Sequence, residues 1–309
     1  MHTTSNILLI RPSNFTFNSE TATSNAFQKN ASNTDAESIH LKAIEEFDAM
    51  VKLLNANEIN IFVFNDTPLP HKPDAIFPNN WVSFHADGTV VLYPMCAISR
   101  QAERRMDIIE SLRNHFSVTK IIDLSHYEQE HKFLEGTGSI IFDHTHKIAY
   151  ACLSCRTDKH VLEQLCEAIG YKSFSFYAYD RAGKEIYHTN VMMSIGKQFA
   201  IVCIESITDK KQREEMITSL QSTKHEVIAI SIEQMNHFAG NMLEVQSKEG
   251  KAILALSETA HRSLTENQKN KLANCVDLLP CSINTIEIIG GGSARCMMAE
   301  LFLPVKTNQ

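Results

Sequence analysis

Four short apolar segments recur along this chain at nearly constant spacing, and that recurrence limits the possible folds more than any other feature. They occupy residues 88–94, 146–154, 196–204 and 250–257, and each starts at a turn, three of them at glycine. With Tyr93, Tyr150, Val202 and Leu254 taken as equivalent, the spacings are 57, 52 and 52 residues, which is a structural period. A second strand-like stretch precedes each one, at 81–84, 139–142, 191–194 and 242–245, so each pair reads as a hairpin. Amphipathic helices are expected at 100–116, 158–169, 209–222 and 265–279, and closing strands at 118–122, 173–179, 227–230 and 285–289.

The repeating unit is therefore ββαβ. The N-terminal part supplies a strand at 5–12, a helix at 38–55 and a strand at 59–64. Joined to the segment around Cys296, these make a fifth unit. Five units can close into a ring, which removes the exposed sheet edges of an open array and makes residues 1–309 a single α/β domain. The Asn/Thr/Ser-rich stretch 13–33 reads as a mobile polar loop.

Composition narrows the function. The 309 residues carry a net charge of -7, with Lys and Arg scattered, so nucleic acid and anionic membrane are poor partners. The longest apolar runs, 148–153 and 199–204, are strand-sized, and no basic leader precedes the first one, so a soluble cytoplasmic protein is expected. Eight cysteines are too sparse for a small disulfide framework. Cys152 and Cys155 have CxxC spacing without a second ligand pair, and read as strand residues.

In a ring of repeats, residues at matching places converge on the axis. The hairpin entries are unusually polar: Phe77-Pro78-Asn79-Asn80-Trp81, Leu134-Glu135-Gly136-Thr137-Gly138, Tyr187-His188-Thr189-Asn190 and Phe238-Ala239-Gly240-Asn241. The matching place in the last unit is Gly290-Gly291-Gly292-Ser293-Ala294-Arg295-Cys296. Glycines there allow close approach to the main chain, and Ser293 is placed to cap the short apolar run that follows. A cysteine beside Met297 and Met298 is equally a small core residue when considered alone. Its convergence with His188 and Glu135 points instead to covalent chemistry, with a thiol to attack, an imidazole to move protons and a carboxylate to orient the imidazole.

These residues resemble the pentein superfamily of guanidino-group-modifying enzymes, which includes arginine deiminase, dimethylarginine dimethylaminohydrolase and the amidinotransferases. The resemblance covers nearly the whole chain. It is carried by the period, Glu135-Gly136, His188-x-Asn190, Leu153-Ser154-x-Arg156-Thr157 and the late glycine-rich Cys296. It implies a five-bladed α/β propeller with its site on the axis, a Cys296 nucleophile, a His188 acid/base, a Glu135 partner, and no metal or organic cofactor. It also implies that Arg156 grips a substrate α-carboxylate. Arg100 is a second candidate clamp, in competition with Arg104 and Arg105.

At two positions where the deiminases of this superfamily carry aspartates against the guanidinium, this chain has Asn80 and Asn190. An uncompensated buried cation is costly, whereas carboxamides offer both donors and acceptors to a neutral ureido group. Among members of the superfamily the chain most resembles the citrulline-utilisation hydrolases. The resemblance thus implies hydrolysis of a small ureido amino acid, citrulline to ornithine, carbon dioxide and ammonia, with Asn80, Asn190, Asn241 and Arg156 binding substrate in a protein that can form a homo-oligomer. An amidinotransferase, an arginine deiminase or dimethylaminohydrolase, and a non-catalytic amino-acid-binding protein are the alternatives.

Overall fold

A computed structural model describes residues 2–30 and 35–306. Its strands form five separate three-stranded sheets. The first hairpin unit contains β3 (Val82–Phe84), β4 (Thr89–Leu92) and β5 (Lys120–Asp123); the second β6 (Ile141–Asp143), β7 (Ile148–Cys152) and β8 (Lys172–Phe176). The third contains β9 (Met193–Ile195), β10 (Phe199–Val202) and β11 (Glu226–Ala229), and the fourth β12 (Leu243–Gln246), β13 (Ala252–Ser257) and β14 (Asp277–Cys281). In each, the middle strand runs antiparallel to the first and parallel to the third. The fifth sheet has the same pattern assembled from both ends of the chain: β1 (Asn6–Arg11) lies parallel to β2 (Asn60–Asn65) and antiparallel to β15 (Ala299–Glu300).

Neighbouring sheets meet in a cycle. Phe84 bridges to Leu301, Leu134 N–H before β6 donates to the Pro94 carbonyl after β4 at 3.1 Å, β6 packs on β9, β9 packs on β12, and Gln246 N–H donates to the Thr4 carbonyl, 3.1 Å away. The result is the five-bladed α/β propeller, with the first strand of each blade innermost. The register sets Leu92, Tyr150, Val202 and Ala255 opposite the first residue of each inner strand. The equivalence assumed from sequence is therefore one residue off in the first and fourth blades, where the hairpin connections differ in length.

Crossover helices cover the outside of the blades. In the second blade, Lys159–Ile169 buries Val161, Leu162, Leu165 and Cys166, a stripe at helical spacing. The Asp158 side chain accepts from Val161 N–H at its start, and Gly170 ends it at φ 71°, a left-handed conformation that costs glycine little. The third and fourth blades begin their helices the same way, at Asp209 and Thr265.

Several sequence expectations need correction. The single helix at 100–116 is two short ones, Ile98–Gln101 and Met106–Leu112, and the helix expected at 265–279 is shorter, Glu266–Ala273, because β14 already starts at Asp277; a separate helix, Glu258–Ser263, precedes it. The fourth blade closes with β14, not with 285–289; Pro280 is tolerated because β14 is an edge strand. Residues Asn284–Gly290 are instead a helix burying Ile286 and Ile289, one turn apart. The carboxylate of Glu46 on the long helix Ala36–Ala56 accepts from Thr285 N–H at 2.8 Å and Ile286 N–H at 3.0 Å, capping that helix from outside. Packing and a tertiary cap override the β propensity of Thr285, Ile286, Ile288 and Ile289.

The expected polar loop is also ordered over the part the structure describes. Ser19–Ala22 is a helical turn, and Phe15, Asn18, Thr21 and Asn25 are buried. Residues 31–33 of that segment lie outside the described residues.

Candidate active site

Each inner strand is entered through a tight turn. These are a 3-10 turn at Pro78–Asn80, helical turns at Gly136–Ser139, Thr189–Met192 and Ala294–Met297, and an irregular turn at 238–241. The strands anticipated at 139 and 191 begin two residues later because their first residues belong to these turns. Gly136 adopts φ 45°, and a Cβ there would lie 2.3 Å from the Asn79 carbonyl, so only glycine lets the first two turns touch. Ser293 occupies the cap position of the cysteine turn, but its side chain does not cap. Its hydroxyl donates to buried Glu287, 2.6 Å away, which would otherwise lack that partner.

The turns bring most of the anticipated residues together. Glu135 is fully buried, with Oε2 2.8 Å from His188 Nε2, while Oε1 accepts from Cys96 N–H at 2.9 Å. Burial alone would raise the Glu135 carboxyl. The Arg156 guanidinium, the His188 hydrogen bond and Arg100 outweigh it and hold the group well below the usual carboxylate range. Burial lowers the His188 imidazole against the pull of Glu135. The pair is therefore a carboxylate with a neutral imidazole. Since the carboxylate only accepts, Nε2 carries the proton and Nδ1 keeps its lone pair.

Cys296 lines the same small cavity as His188. Two carboxamides hold its sulfur: Asn190 Nδ2 at 3.3 Å and Asn241 Nδ2 at 3.2 Å. Asn241 is the hub of this cluster, since its Nδ2 also donates to the Asn190 carbonyl and its Oδ1 accepts from Arg295 N–H. Asn80 lines the cavity from the first blade. Both Asn190 Oδ1 and Asp74 Oδ1 are buried without a partner.

The two arginines differ in how firmly they are held. Arg156 lies over the Tyr187 ring, 4.9 Å from its centroid. It donates to the Thr21 carbonyl at 2.9 Å and the Ser24 hydroxyl at 3.0 Å, both in the N-terminal segment, and reaches Glu135 at 3.4 Å. Arg100 is buried against Glu103, Asn80 and the Phe77 carbonyl. Arg104 and Arg105 turn away, to Glu128 and Asp107, and are not competitors for the site.

Sequence reasoning missed Asp74, Tyr187, Phe77, Thr21 and Asn25, all of which line the cavity. Asp74 had a detectable signal, since it lies six residues ahead of Asn80 in the same hairpin entry. Its Oδ2 accepts from Asn18 Nδ2 at 2.8 Å and from the Thr21 hydroxyl at 3.2 Å, and burial raises its carboxyl despite Arg100. Thr21 and Asn25 had none, because they arrive from a segment outside the repeat. Of the CxxC pair, Cys152 is buried at the end of β7 and Cys155 is exposed. A larger cleft, about 600 Å³, lies beyond residues 24–29, but neither Cys296 nor His188 lines it.

A propeller of five such blades, with its polar entries gathered on the axis, defines the pentein superfamily of guanidino-modifying enzymes. Within it, a family model described as N,N dimethylarginine dimethylhydrolase, eukaryotic, matches residues 11–303, and the chain belongs to that family. A comparison with curated proteins finds no match. Among solved structures, the N-terminal domain of ArgZ, a cyanobacterial arginine dihydrolase of the ornithine–ammonia cycle, superposes with TM-score 0.75 at 16% identity. That match covers 97% of this chain and 98% of that one, and the ArgZ domain was solved as a cysteine-to-serine variant bound to substrate. Unliganded AgrE gives 0.74 at 16% identity over 98% of this chain and 40% of that longer protein. The dimethylarginine dimethylaminohydrolase of Pseudomonas aeruginosa, a cysteine-to-serine variant complexed with citrulline, gives 0.65 at 14% identity over 97% and 100%. Among the described residues, no helix is long and apolar enough to cross a membrane.

Proposed function

We propose that the whole chain acts as one catalytic domain that hydrolyses the ureido group of citrulline to ornithine, carbon dioxide and ammonia. The observation that supports this reading best is the pair of carboxamide N–H groups, from Asn190 and Asn241, directed at the Cys296 sulfur. Donors beside the reacting atom suit the carbonyl oxygen of a urea, which gains negative charge on attack. An amidinium would bring its own N–H groups against them.

His188 Nδ1 takes the Cys296 proton, and Glu135 steadies the imidazolium that results. The thiolate adds to the ureido carbon, and Asn amides with main-chain N–H groups receive the oxyanion. Collapse of the adduct breaks the bond to the ornithine nitrogen, which leaves with the His188 proton, and a carbamoyl thioester stays on Cys296. Water deprotonated by His188 then adds to the thioester, the thiolate departs, and carbamate decomposes to carbon dioxide and ammonia. Arg156 suits the α-carboxylate and the spare oxygen of Asp74 the α-ammonium. The cavity holds about 20 Å³, room for roughly one water, so an amino acid enters only when its lining opens.

Asp74 also favours a second reading. A carboxylate oxygen without a partner in the same cavity is a seat for a guanidinium, as an arginine or dimethylarginine hydrolase requires. Incubation with citrulline, arginine, dimethylarginine and agmatine, with ornithine, ammonia and carbon dioxide quantified, separates the two. Ornithine and carbon dioxide from citrulline are expected as the fastest products. Faster turnover of arginine or dimethylarginine would replace the first reading with the second.

A further inference from the structure

Three hydroxyls that take no part in the mechanism join the turns that carry it. Ser139 Oγ accepts from Glu135 N–H at 2.9 Å and donates to the Arg156 carbonyl at 2.8 Å. Ser154 Oγ accepts from Arg156 N–H at 3.1 Å and donates to the Tyr187 carbonyl at 2.8 Å. Thr189 Oγ1 accepts from Cys152 N–H at 2.7 Å and donates to the Ser139 carbonyl at 2.5 Å. An N–H only donates, a carbonyl only accepts, and a hydroxyl has one hydrogen to give, so these partners fix the direction of every bond. Ser139 and Thr189 are fully buried, and removing either hydroxyl leaves one main-chain N–H and one carbonyl unsatisfied.

The bonds to carbonyls close a triangle. Ser139 ties the Glu135 turn to the Arg156 turn, Ser154 ties the Arg156 turn to the residue before His188, and Thr189 ties the residue after His188 back to the Glu135 turn. A carboxylate, a guanidinium and an imidazole thus stand at the three corners. Thr189 spans the same gap as the 2.8 Å contact between Glu135 Oε2 and His188 Nε2, and it makes no hydrogen bond to Arg156. Ser139 and Ser154 instead hold the carbonyl and the N–H of Arg156 itself.

We propose that Thr189, Ser139 and Ser154 are positioning residues with divided duties. Thr189 and Ser139 hold the Glu135 carboxylate against the His188 imidazole, while Ser139 and Ser154 aim Arg156 at the substrate α-carboxylate. This rests on the roles given above to Glu135, His188 and Arg156. The acid–base half and the binding half of the site share one hydroxyl frame, with Ser139 common to both.

Wild type, T189V, T189S, S139A and S154A are compared by two measurements. The first needs no substrate: the buried Nε2–H that His188 shares with Glu135 gives a downfield, exchange-protected proton signal in NMR spectra, assigned by its absence from H188N. T189V and S139A are expected to lose that signal, and T189S and S154A to keep it. The second is the ratio of kcat/KM for citrulline to that for N-carbamoylputrescine, which lacks the α-carboxylate. S154A and S139A are expected to lower the ratio about tenfold, as misalignment of a charged hydrogen-bonding partner does. T189V is expected to keep the ratio while kcat falls about tenfold on both substrates, and T189S to restore it. Retention of the His188 signal or of wild-type kcat in T189V, a fall of the ratio in T189V as large as in S154A, or a T189S as impaired as T189V would each overturn the proposal. If T189V or S139A does not fold, cysteine, a much weaker donor and acceptor, replaces valine or alanine there with the same expected and contrary results. Should wild type turn over arginine and not citrulline, the ureido reading fails separately; the ratio is then taken on arginine and agmatine, and the His188 signal is read as before.

Discussion

His188 carries the sharpest consequence at the scale of a single residue. Its imidazole is buried beside an ionised Glu135, and burial lowers it from the ordinary 6.5 to about 4. The proposed mechanism needs the neutral ring with a free Nδ1, and a lowered value keeps the ring neutral over a wider range. As pH falls through 6.5 the neutral form persists, and it is lost only as pH approaches 4. The acid limb of kcat/KM attributable to His188 is therefore expected near 4, in a pH profile with stability checked at each point. A limb centred at or above 6.5 would show that the imidazole is not desolvated as the fold implies. At this scale the sequence was informative where a residue sits in the repeat. Glu135, His188, Asn190, Asn241 and Cys296 all stand at the entry turns of their blades, and the structure puts Glu135 against His188 and both Asn190 and Asn241 against Cys296. Asp74 was overlooked because it precedes its turn instead of standing in it. The roles of Arg100 and Arg156 could not be separated, because the difference lies in which of their N–H groups are already committed.

Among the elements, the helix Asn284–Gly290 shows how local preference is overruled. Its β-branched run reads as a strand, yet β14 already closes the fourth sheet, and the following residues pack Ile286 and Ile289 inward. Two N–H groups at the helix start would be orphaned without the carboxylate of Glu46, which arrives from a helix more than two hundred residues earlier. A cap from that distance leaves no signal in the local sequence. This helix leads directly into Gly290 to Gly292 and the cysteine turn, so its start bears on the site. Glu46→Ala is predicted to destabilise the protein by about 1–2 kcal/mol, as loss of a helix cap does, measured by reversible denaturant unfolding. An unchanged midpoint would mean that the helix start is satisfied by water and the contact is incidental. The split helix in the first blade was equally illegible, because its periodicity runs through the break and only the tertiary path shows where the chain turns.

For the molecule as a whole, the period of about fifty residues was enough to foresee five blades and the return of the C-terminal segment beside β1. Ring closure is what gathers Asn80, Glu135, His188, Asn241 and Cys296 at one place, although they span more than two hundred positions. What the period could not foresee is the N-terminal segment laid over the axis, which is unique in the chain and has no counterpart in the other blades. The central claim is that this assembly makes Cys296 a nucleophile toward a ureido carbon. Its most direct test is rapid acid quench of the protein turning over citrulline labelled with carbon-13 at the ureido carbon, followed by peptide mass mapping. The account predicts a labelled carbamoyl group on the Cys296 peptide, none on the other seven cysteines, and none anywhere in Cys296→Ala. Full turnover of citrulline by Cys296→Ala, or label on another residue of the wild type, would contradict it.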